Sequence, residues 1–233
     1  MDRLDKRLAN TGRWSRREAR DRIRAGRVVV DGVPCRAPEQ KVTETDPIAV
    51  DGAALAPVGP VYLMLHKPAG VVSSTDEPGA ETVLDLLGEA YQNIGLFPAG
   101  RLDKDTEGLL LLTNDGPLAH RLLSPKNHVD KVYYVEVDGA LDGADVEAIR
   151  GGVTLADGFE CLPAKLELLS GNSAYITLHE GKYHQVKRML ASRGKPVAYL
   201  KRVRFGPLVL DETLPKGGWR ALTGEEMQAL FRQ

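Results

Sequence analysis

The sequence predicts an α+β fold, in which a small basic unit precedes a larger unit built on a mixed, largely antiparallel sheet flanked by helices. Strand-like and helix-like segments follow one another irregularly, and several strands come in hairpin-like pairs. The charge is also uneven. Residues 1–41 hold twelve Lys and Arg against six Asp and Glu, a net +6, whereas the remaining residues carry −7.

The composition of the 233 residues is ordinary for a soluble globular protein, with 42% apolar and 27% charged side chains. No stretch approaches the roughly 20 apolar residues that span a bilayer. No apolar run typical of a secretory signal follows the first residues. Cys35 and Cys161 show neither a disulfide framework nor metal-ligand spacing. We therefore expect a cytoplasmic protein with no membrane partner.

The basic unit is predicted to contain two short helices and a hairpin. An apolar pair four residues apart indicates a first helix over 4–8. Ser15 and Glu18 have capping-box spacing, so we expect a second helix over 16–25. The dipeptide Asp31–Gly32 after a valine-rich strand is typical of a hairpin turn.

The second helix carries a stripe of arginines. At about 100° per residue, Arg17, Arg20 and Arg24 fall on one side, and Arg13 extends it if the helical phase holds. Such a stripe is often only a solvated face. Here arginines far exceed carboxylates, and guanidinium groups match phosphate geometry. The residues predicted to contact a polyanion are Arg13, Arg16, Arg17, Arg20 and Arg24.

A linker is predicted over residues 51–60, which hold two glycines, two prolines and small side chains. We therefore expect domains over 1–57 and 61–233. In the larger domain, strands are predicted at 61–66, 109–113, 131–137, 162–169, 174–179, 197–203, 208–210 and 218–222. Helices are predicted there at 83–87, 117–123, 144–149, 182–193 and 225–231.

Three polar segments of the larger unit can carry chemistry. In the first, Asp103 precedes a buried strand, and partial burial makes a carboxylate more reactive, although many such loops are solvated turns. In the second, over 131–135, Tyr133 is either a core aromatic or a platform for a nucleobase. The third, over 180–190, opens a helix with basic and polar groups. The histidines show no spacing typical of a metal site.

A longer pattern in the basic unit, running from Arg3 to Gly32, resembles the S4 RNA-binding domain. The resemblance implies two small helices over a short antiparallel sheet, with structured RNA bound by the basic helical face. In the larger unit, three segments resemble the motifs of the RNA pseudouridine synthases, and two resemble their carboxyl-terminal signature. These five segments are 100–116, 131–135, 180–189, 200–206 and 218–222.

An S4 domain on such a body is typical of the branch that acts on ribosomal RNA, and segments 64–76 and 124–128 are similar to the small-subunit (16S) enzymes. The resemblance implies that a uridine of 16S ribosomal RNA, of the position-516 type, is isomerised to pseudouridine without cofactor or metal. Ribosomal RNA or a small-subunit assembly intermediate is the expected partner. We expect the protein to be a monomer.

The resemblance also implies residue roles. Asp103 is the essential carboxylate, acting either as a nucleophile or as a base on the sugar. Tyr133 stacks under the target uracil and removes its C5 proton, and Lys187 pairs with Asp103. Arg101 fills the gap that the flipped uridine leaves. The residues implied to contact RNA around the site are Arg101, Arg188 and Lys131.

Three alternatives stay open on the sequence. The first is a pseudouridine synthase with a large-subunit (23S) ribosomal RNA target. The second is a non-catalytic S4-type RNA-binding or ribosome assembly factor that retains the fold. The third is a sugar hydrolase that uses Asp103 and Glu107, which the basic unit and the 6% aromatic content disfavour.

Overall fold

The computed structural model describes residues 1–43, 46–55, 59–87, 91, 94–127 and 129–232. The chain folds into two compact units. The first comprises Met1–Val61 and Leu84–Phe97, and the second comprises Tyr62–Val83 and Pro98–Gln233. The predicted domain boundary at residue 57 lies outside the described residues. Within the described ranges, no helix combines the length and the apolar character that crossing a membrane requires.

The first unit packs two helices on a small antiparallel sheet. Its elements are β1 (Asp2–Arg3), α1 (Leu4–Ala9), α2 (Arg16–Arg24), β2 (Val28–Val30), β3 (Val33–Cys35), β4 (Lys41–Val42), β5 (Ile48–Val50) and β6 (Ala53–Ala54). The sheet order is β3-β2-β5-β6, and β1 pairs with β4. Leu4, Leu8 and Ile23 are fully buried in its core.

The predicted local signals of this unit are confirmed. The Ser15 hydroxyl accepts from the Glu18 amide, and the Glu18 carboxylate accepts from the Ser15 amide, which closes the capping box of α2. Asp31 and Gly32 join β2 to β3 with φ of 50° and 78°, as the hairpin dipeptide requires. The predicted linker differs, because β6 occupies its first part and pairs with β5. Residues 56–58 lie outside the described residues.

The described residues of the second unit are built on a nine-stranded sheet. Its strands are β7 (Tyr62–Lys67), β8 (Phe97–Pro98), β9 (Glu107–Thr113), β10 (Lys131–Val137), β11 (Lys165–Leu168), β12 (Ser173–Leu178), β13 (Val197–Phe205), β14 (Leu208–Val209) and β15 (Trp219–Ala221). Its helices are α3 (Gly116–Leu123), α4 (Gly143–Gly151), α5 (Gln185–Ala191) and α6 (Gly224–Phe231), with a 3₁₀ turn over Pro125–Asn127.

The main path of this sheet runs β11-β12-β10-β13-β9-β7-β15. Only the contact between β13 and β9 is parallel along this path. The predicted α+β class with a mixed, largely antiparallel sheet is therefore confirmed. Every residue of β9 is buried, as its continuous apolar run predicts.

Two predicted helices differ in the structure. Residues 83–87 form turns instead of a helix, because the Val83 amide donates to the Val72 carbonyl at 3.0 Å and Thr82 forms a β-bridge with Val72. The helix predicted over 182–193 is shorter and begins at Gln185. Its preceding residue, His184, has a left-handed backbone (φ 47°), which a continuous helix does not allow.

Candidate active site

A cavity of about 820 Å³ opens in the second unit beside β10 and β13. Its volume is in the range of ligand pockets, roughly 300–1,000 Å³. Its walls include Arg101, Asp103, Lys131, Tyr133 and Arg202. The structure thus brings together residues from motifs that are far apart in the sequence.

Strand geometry explains this meeting. Lys131 and Tyr133 are two residues apart on β10, so their side chains point to one face of the sheet. Arg202 of β13 is the cross-strand partner of Tyr133, and such partners share a face. Arg202 also pairs with Gly108 of β9. The loop that ends in β9 therefore delivers Asp103 to the same cavity.

Asp103 lies within ion-pair distance of two basic side chains. Lys187 Nζ is 3.5 Å from its Oδ2, and His184 Nε2 is 3.6 Å from its Oδ1. The carboxylate side chain is 26% exposed, so it is reachable from the cavity without being fully solvated. The geometry provides the predicted Lys187–Asp103 contact and adds His184 to it.

Lys187 has a closer partner in Asp105. Its Nζ donates to Asp105 Oδ1 at 2.5 Å. This hydrogen bond holds the pKa of the Asp105 carboxyl below its usual value. Asp105 lies in a turn and its carboxylate forms this ion pair, and Glu107 is the first residue of β9.

Buried donors fix the backbone on both sides of Asp103. Lys67 is fully buried, and burial lowers its pKa to about 8, although nearby carboxylates oppose the shift. Its ammonium donates to three carbonyls, those of Pro68, Lys104 and Thr106, at 2.9, 3.1 and 2.9 Å. The Ser73 hydroxyl donates to the Leu102 carbonyl and accepts from the Leu102 amide. Asp103 therefore sits on a preorganised loop.

The floor of the cavity is cationic. Arg202 is 2% exposed and donates from Nε to the Leu109 carbonyl at 2.8 Å. The Nη2 atom of its guanidinium group has no hydrogen-bond partner among the described residues. Lys131 is 9% exposed and donates to the Val129 carbonyl. Burial, together with the charge of Arg202, lowers the Lys131 pKa to about 8. This floor suits the oxygen atoms of a nucleotide.

The other two predicted RNA contacts of this unit differ from each other. Arg101 is exposed beside the cavity. Arg188 is 30% exposed and forms an ion pair with Asp157 at 2.5 Å. Arg101 is therefore exposed to solvent, whereas Arg188 is already paired with the carboxylate of Asp157.

The five arginines predicted in the first unit also fall into two sets. Asp5 is fully buried and gathers Arg16 and Arg20, whose Nε atoms lie 3.5 and 2.8 Å from its Oδ2, as well as Arg3. Burial raises the pKa of Asp5, but hydrogen bonds from Arg3 and Arg20 outweigh it and hold that pKa well below its usual value. The other three, Arg13, Arg17 and Arg24, are exposed, as is Arg16, whereas Arg20 is half-buried.

Sequence reasoning set aside several residues that the structure places at the site. Lys67, Tyr183 and His184 carry no predicted role, yet Tyr183 and His184 line the cavity beside Arg202 of the carboxyl-terminal signature. The signal for Tyr183 and His184 was their position inside the third motif. Within the described residues, no cluster of three or more His, Cys, Asp and Glu is arranged to hold a metal ion.

The chain is similar to known proteins over nearly its whole length. Residues 61–192 match the family RNA pseudouridylate synthase, and residues 2–48 match the S4 domain. An uncharacterised RNA pseudouridine synthase of Bacillus subtilis is 46% identical, and the match covers 98% of each chain. The ribosomal small subunit pseudouridine synthase A of Escherichia coli is 42% identical, covering 98% of this chain and 99% of its own.

A solved structure gives the same result. The crystal structure of a pseudouridylate synthase aligns with a TM-score of 0.70 at 36% identity. The alignment covers 99% of this chain and all of the other. Both units therefore have counterparts in that protein.

Proposed function

The chain belongs to the RNA pseudouridylate synthase family, and from this premise we propose that it converts a uridine of 16S ribosomal RNA, of the position-516 type, to pseudouridine. The meeting of Asp103 and Tyr133 in one cavity, with the Lys187 ammonium 3.5 Å from the Asp103 carboxylate, is the observation that carries the proposal. The 16S target is supported by relatives named ribosomal small subunit pseudouridine synthase A, which match the first unit as well as the second.

The reaction is an isomerisation, so all atoms of the substrate are retained. The bond between uracil N1 and sugar C1′ breaks, the base turns, and a bond forms between C5 and C1′. Asp103 drives the cleavage, either by bonding to the sugar or to the uracil, or by removing a sugar proton. Each role needs a fixed carboxylate. The contact with Lys187 and the loop held by Lys67 keep it in place.

The aromatic and basic residues of the cavity position the base. Tyr133 stacks under the target uracil and takes up the proton that C5 loses, while N1 gains a proton. Arg101, exposed next to Asp103, occupies the gap in the RNA stack after the uridine flips out. Lys131 and Arg188 contact the RNA, with Lys131 at the buried floor and Arg188 at the outer side of α5.

The first unit supplies affinity for the RNA. Its exposed arginines Arg17 and Arg24 lie on α2, whereas Arg13 lies before that helix and does not extend the helical stripe. We assign all three to phosphate contacts of the S4 domain. Arg16 and Arg20 take part in the same face while Asp5 holds their orientation. We further propose that the protein acts in the cytoplasm, as a monomer and without a cofactor, on ribosomal RNA or a small-subunit assembly intermediate.

Mapping of pseudouridine tests the proposal. Unmodified 16S and 23S ribosomal RNA, each with and without ribosomal proteins, are incubated with the protein and analysed by carbodiimide modification and primer extension. The matched variants are Asp103→Asn and Asp138→Asn, the latter on an exposed loop carboxylate. We expect one new stop on 16S RNA with the unaltered chain and with Asp138→Asn, and none with Asp103→Asn.

Other outcomes separate the alternatives. A stop on 23S RNA alone keeps the chemistry and moves the substrate to the large subunit. Stops on neither RNA, with RNA binding intact in both variants, contradict the enzymatic role and favour a non-catalytic assembly factor. A stop that persists in Asp103→Asn contradicts the role of this carboxylate.

A further inference from the structure

Tyr183 is an exposed aromatic side chain at the cavity. It is 75% exposed, and among the large apolar side chains of the described residues only Met1 is more exposed. Its ring lies parallel to the ring of His184, with centroids 3.8 Å apart and an interplanar angle of 18°. One face of Tyr183 is therefore occupied by His184, and the rest of the ring faces solvent.

The segment that carries this stack is held firmly. Gln185 is 4% exposed, and its Oε1 accepts from the Lys182 amide at 2.9 Å. Its Nε2 donates to Glu180 at 2.6 Å. His184 has a left-handed backbone directly before α5. Such a backbone is strained for a residue other than glycine and persists only where surrounding contacts determine it. The stack is thus a preorganised surface.

The stack lies next to the reacting group. His184 Nε2 is 3.6 Å from Asp103 Oδ1, and both rings line the cavity. Basic side chains of the same segment, Lys182 and Lys187, lie on either side in the sequence. A flat, open aromatic face at the cavity fits a nucleotide, which offers a base to stack.

We propose that the Tyr183–His184 stack binds the nucleobase immediately adjacent to the target uridine, by stacking on the open face of Tyr183. This inference rests on the proposed function, because it requires the target uridine to enter this cavity. The target uracil itself is assigned to Tyr133, so the base on Tyr183 is a different one. A ring face stacks with any base. The stack therefore fixes the register of the RNA strand without selecting the identity of the neighbouring base.

A double-mutant cycle tests this inference with the full chain. An RNA fragment carrying the target uridine is made intact, with an abasic 5′ neighbour, and with an abasic 3′ neighbour. Equilibrium dissociation constants are measured for the unaltered chain and for Tyr183→Ala. We expect Tyr183→Ala to weaken binding of the intact RNA about tenfold. One of the two abasic RNAs should lose this sensitivity to Tyr183→Ala.

Two controls separate stacking from a fold defect. Tyr183→Phe keeps the ring and should keep the affinity. Leu169→Ala shortens another half-exposed apolar side chain, outside the cavity, and should leave binding unchanged. A 2-aminopurine placed at the sensitive neighbour should be quenched by the unaltered chain and by Tyr183→Phe, but not by Tyr183→Ala.

The inference is overturned if Tyr183→Ala weakens all three RNAs equally, or if Tyr183→Phe binds as weakly as Tyr183→Ala. Pseudouridine formation on the intact fragment is measured in parallel. If pseudouridine forms without any coupling to a neighbouring base, the inference fails and the proposed function stands. If coupling is found but no pseudouridine forms, the proposed function fails and the stack remains an RNA contact.

Discussion

Gly108 is the second residue of β9, directly after the loop that carries Asp103. The structure leaves no room for a side chain at this position. Its φ is +104°, and a methyl group there would lie 2.2 Å from the Arg202 carbonyl oxygen and 2.7 Å from the Arg202 nitrogen. Both atoms belong to the backbone of β13, the parallel partner of β9. A Gly108→Ala substitution therefore has to move one strand away from the other.

The size of the effect follows from two contributions. A positive φ strains alanine by about 1–3 kcal/mol. Overpacking against a fixed backbone costs about 1–3 kcal/mol more. The sum of about 2–6 kcal/mol is a large part of the 5–15 kcal/mol that typically stabilises a folded protein. Activity should fall with stability, because Asp103 is positioned by the same loop.

Two other glycines serve as matched controls. Gly139 has a φ of +95°, and in the described structure nothing lies within 4 Å of an added methyl group. Gly143 has the same open space without a positive φ. In urea unfolding, we expect the loss of stability to be largest for Gly108→Ala, smaller for Gly139→Ala and near zero for Gly143→Ala. A loss at Gly108 no greater than at Gly139 would refute the steric reasoning.

Three further predictions follow from the buried charges and the exposed arginines. Lys67→Met should lower the rate of pseudouridine formation at least tenfold by releasing three loop carbonyls. Because the pKa of Lys67 is lowered to about 8 in the fold and is 10.5 ordinarily, unfolding titrations should show the unaltered chain gaining stability over Lys67→Met between these pH values. Asp5→Asn should destabilise the first unit at neutral pH, and the difference should shrink as the pH falls below 4, because the folded pKa of Asp5 is depressed. Fluorescence of Trp14, which packs on that core, reports this in a Trp219→Phe background, and a pH-independent difference would contradict it. RNA binding should weaken strongly with salt, and Arg17→Ala should reduce the slope of log Kd against log salt by about one, whereas an unchanged slope would remove this residue from the docking surface.

Local signals accounted for much of the fold. The capping box at Ser15 and the Asp31–Gly32 hairpin act within a few residues, so the sequence alone determines them. The continuous apolar run of β9 is equally readable. The helix predicted over 83–87 does not form, because Thr82 forms a bridge with Val72 and the Val83 amide donates to the Val72 carbonyl. Such tertiary contacts override weak local propensity.

The site was predictable where the motif residues face the cavity, as Asp103 and Tyr133 do. The residues that hold the functional side chains in place were not predictable from the sequence. Lys67 is a residue type that is rarely buried, and it reaches carbonyls as far as 39 residues away. Asp5 gathers arginines up to 15 residues away, which no helical or strand period encodes. Asp105 gains its partner Lys187 only when its loop meets helix α5.

The strand order of the second unit has a consequence for how the protein is made. Strand β13 is inserted between β10 and β9, and β15 pairs with β7. During synthesis, the core between α1, α2 and the small sheet can be buried once Leu55 has emerged, because the described residues of that core extend to Leu55. The sheet next to the Asp103 loop cannot be completed until residues 197–221 have been synthesised. A nascent chain would therefore hold a folded RNA-binding module well before it holds a complete active site.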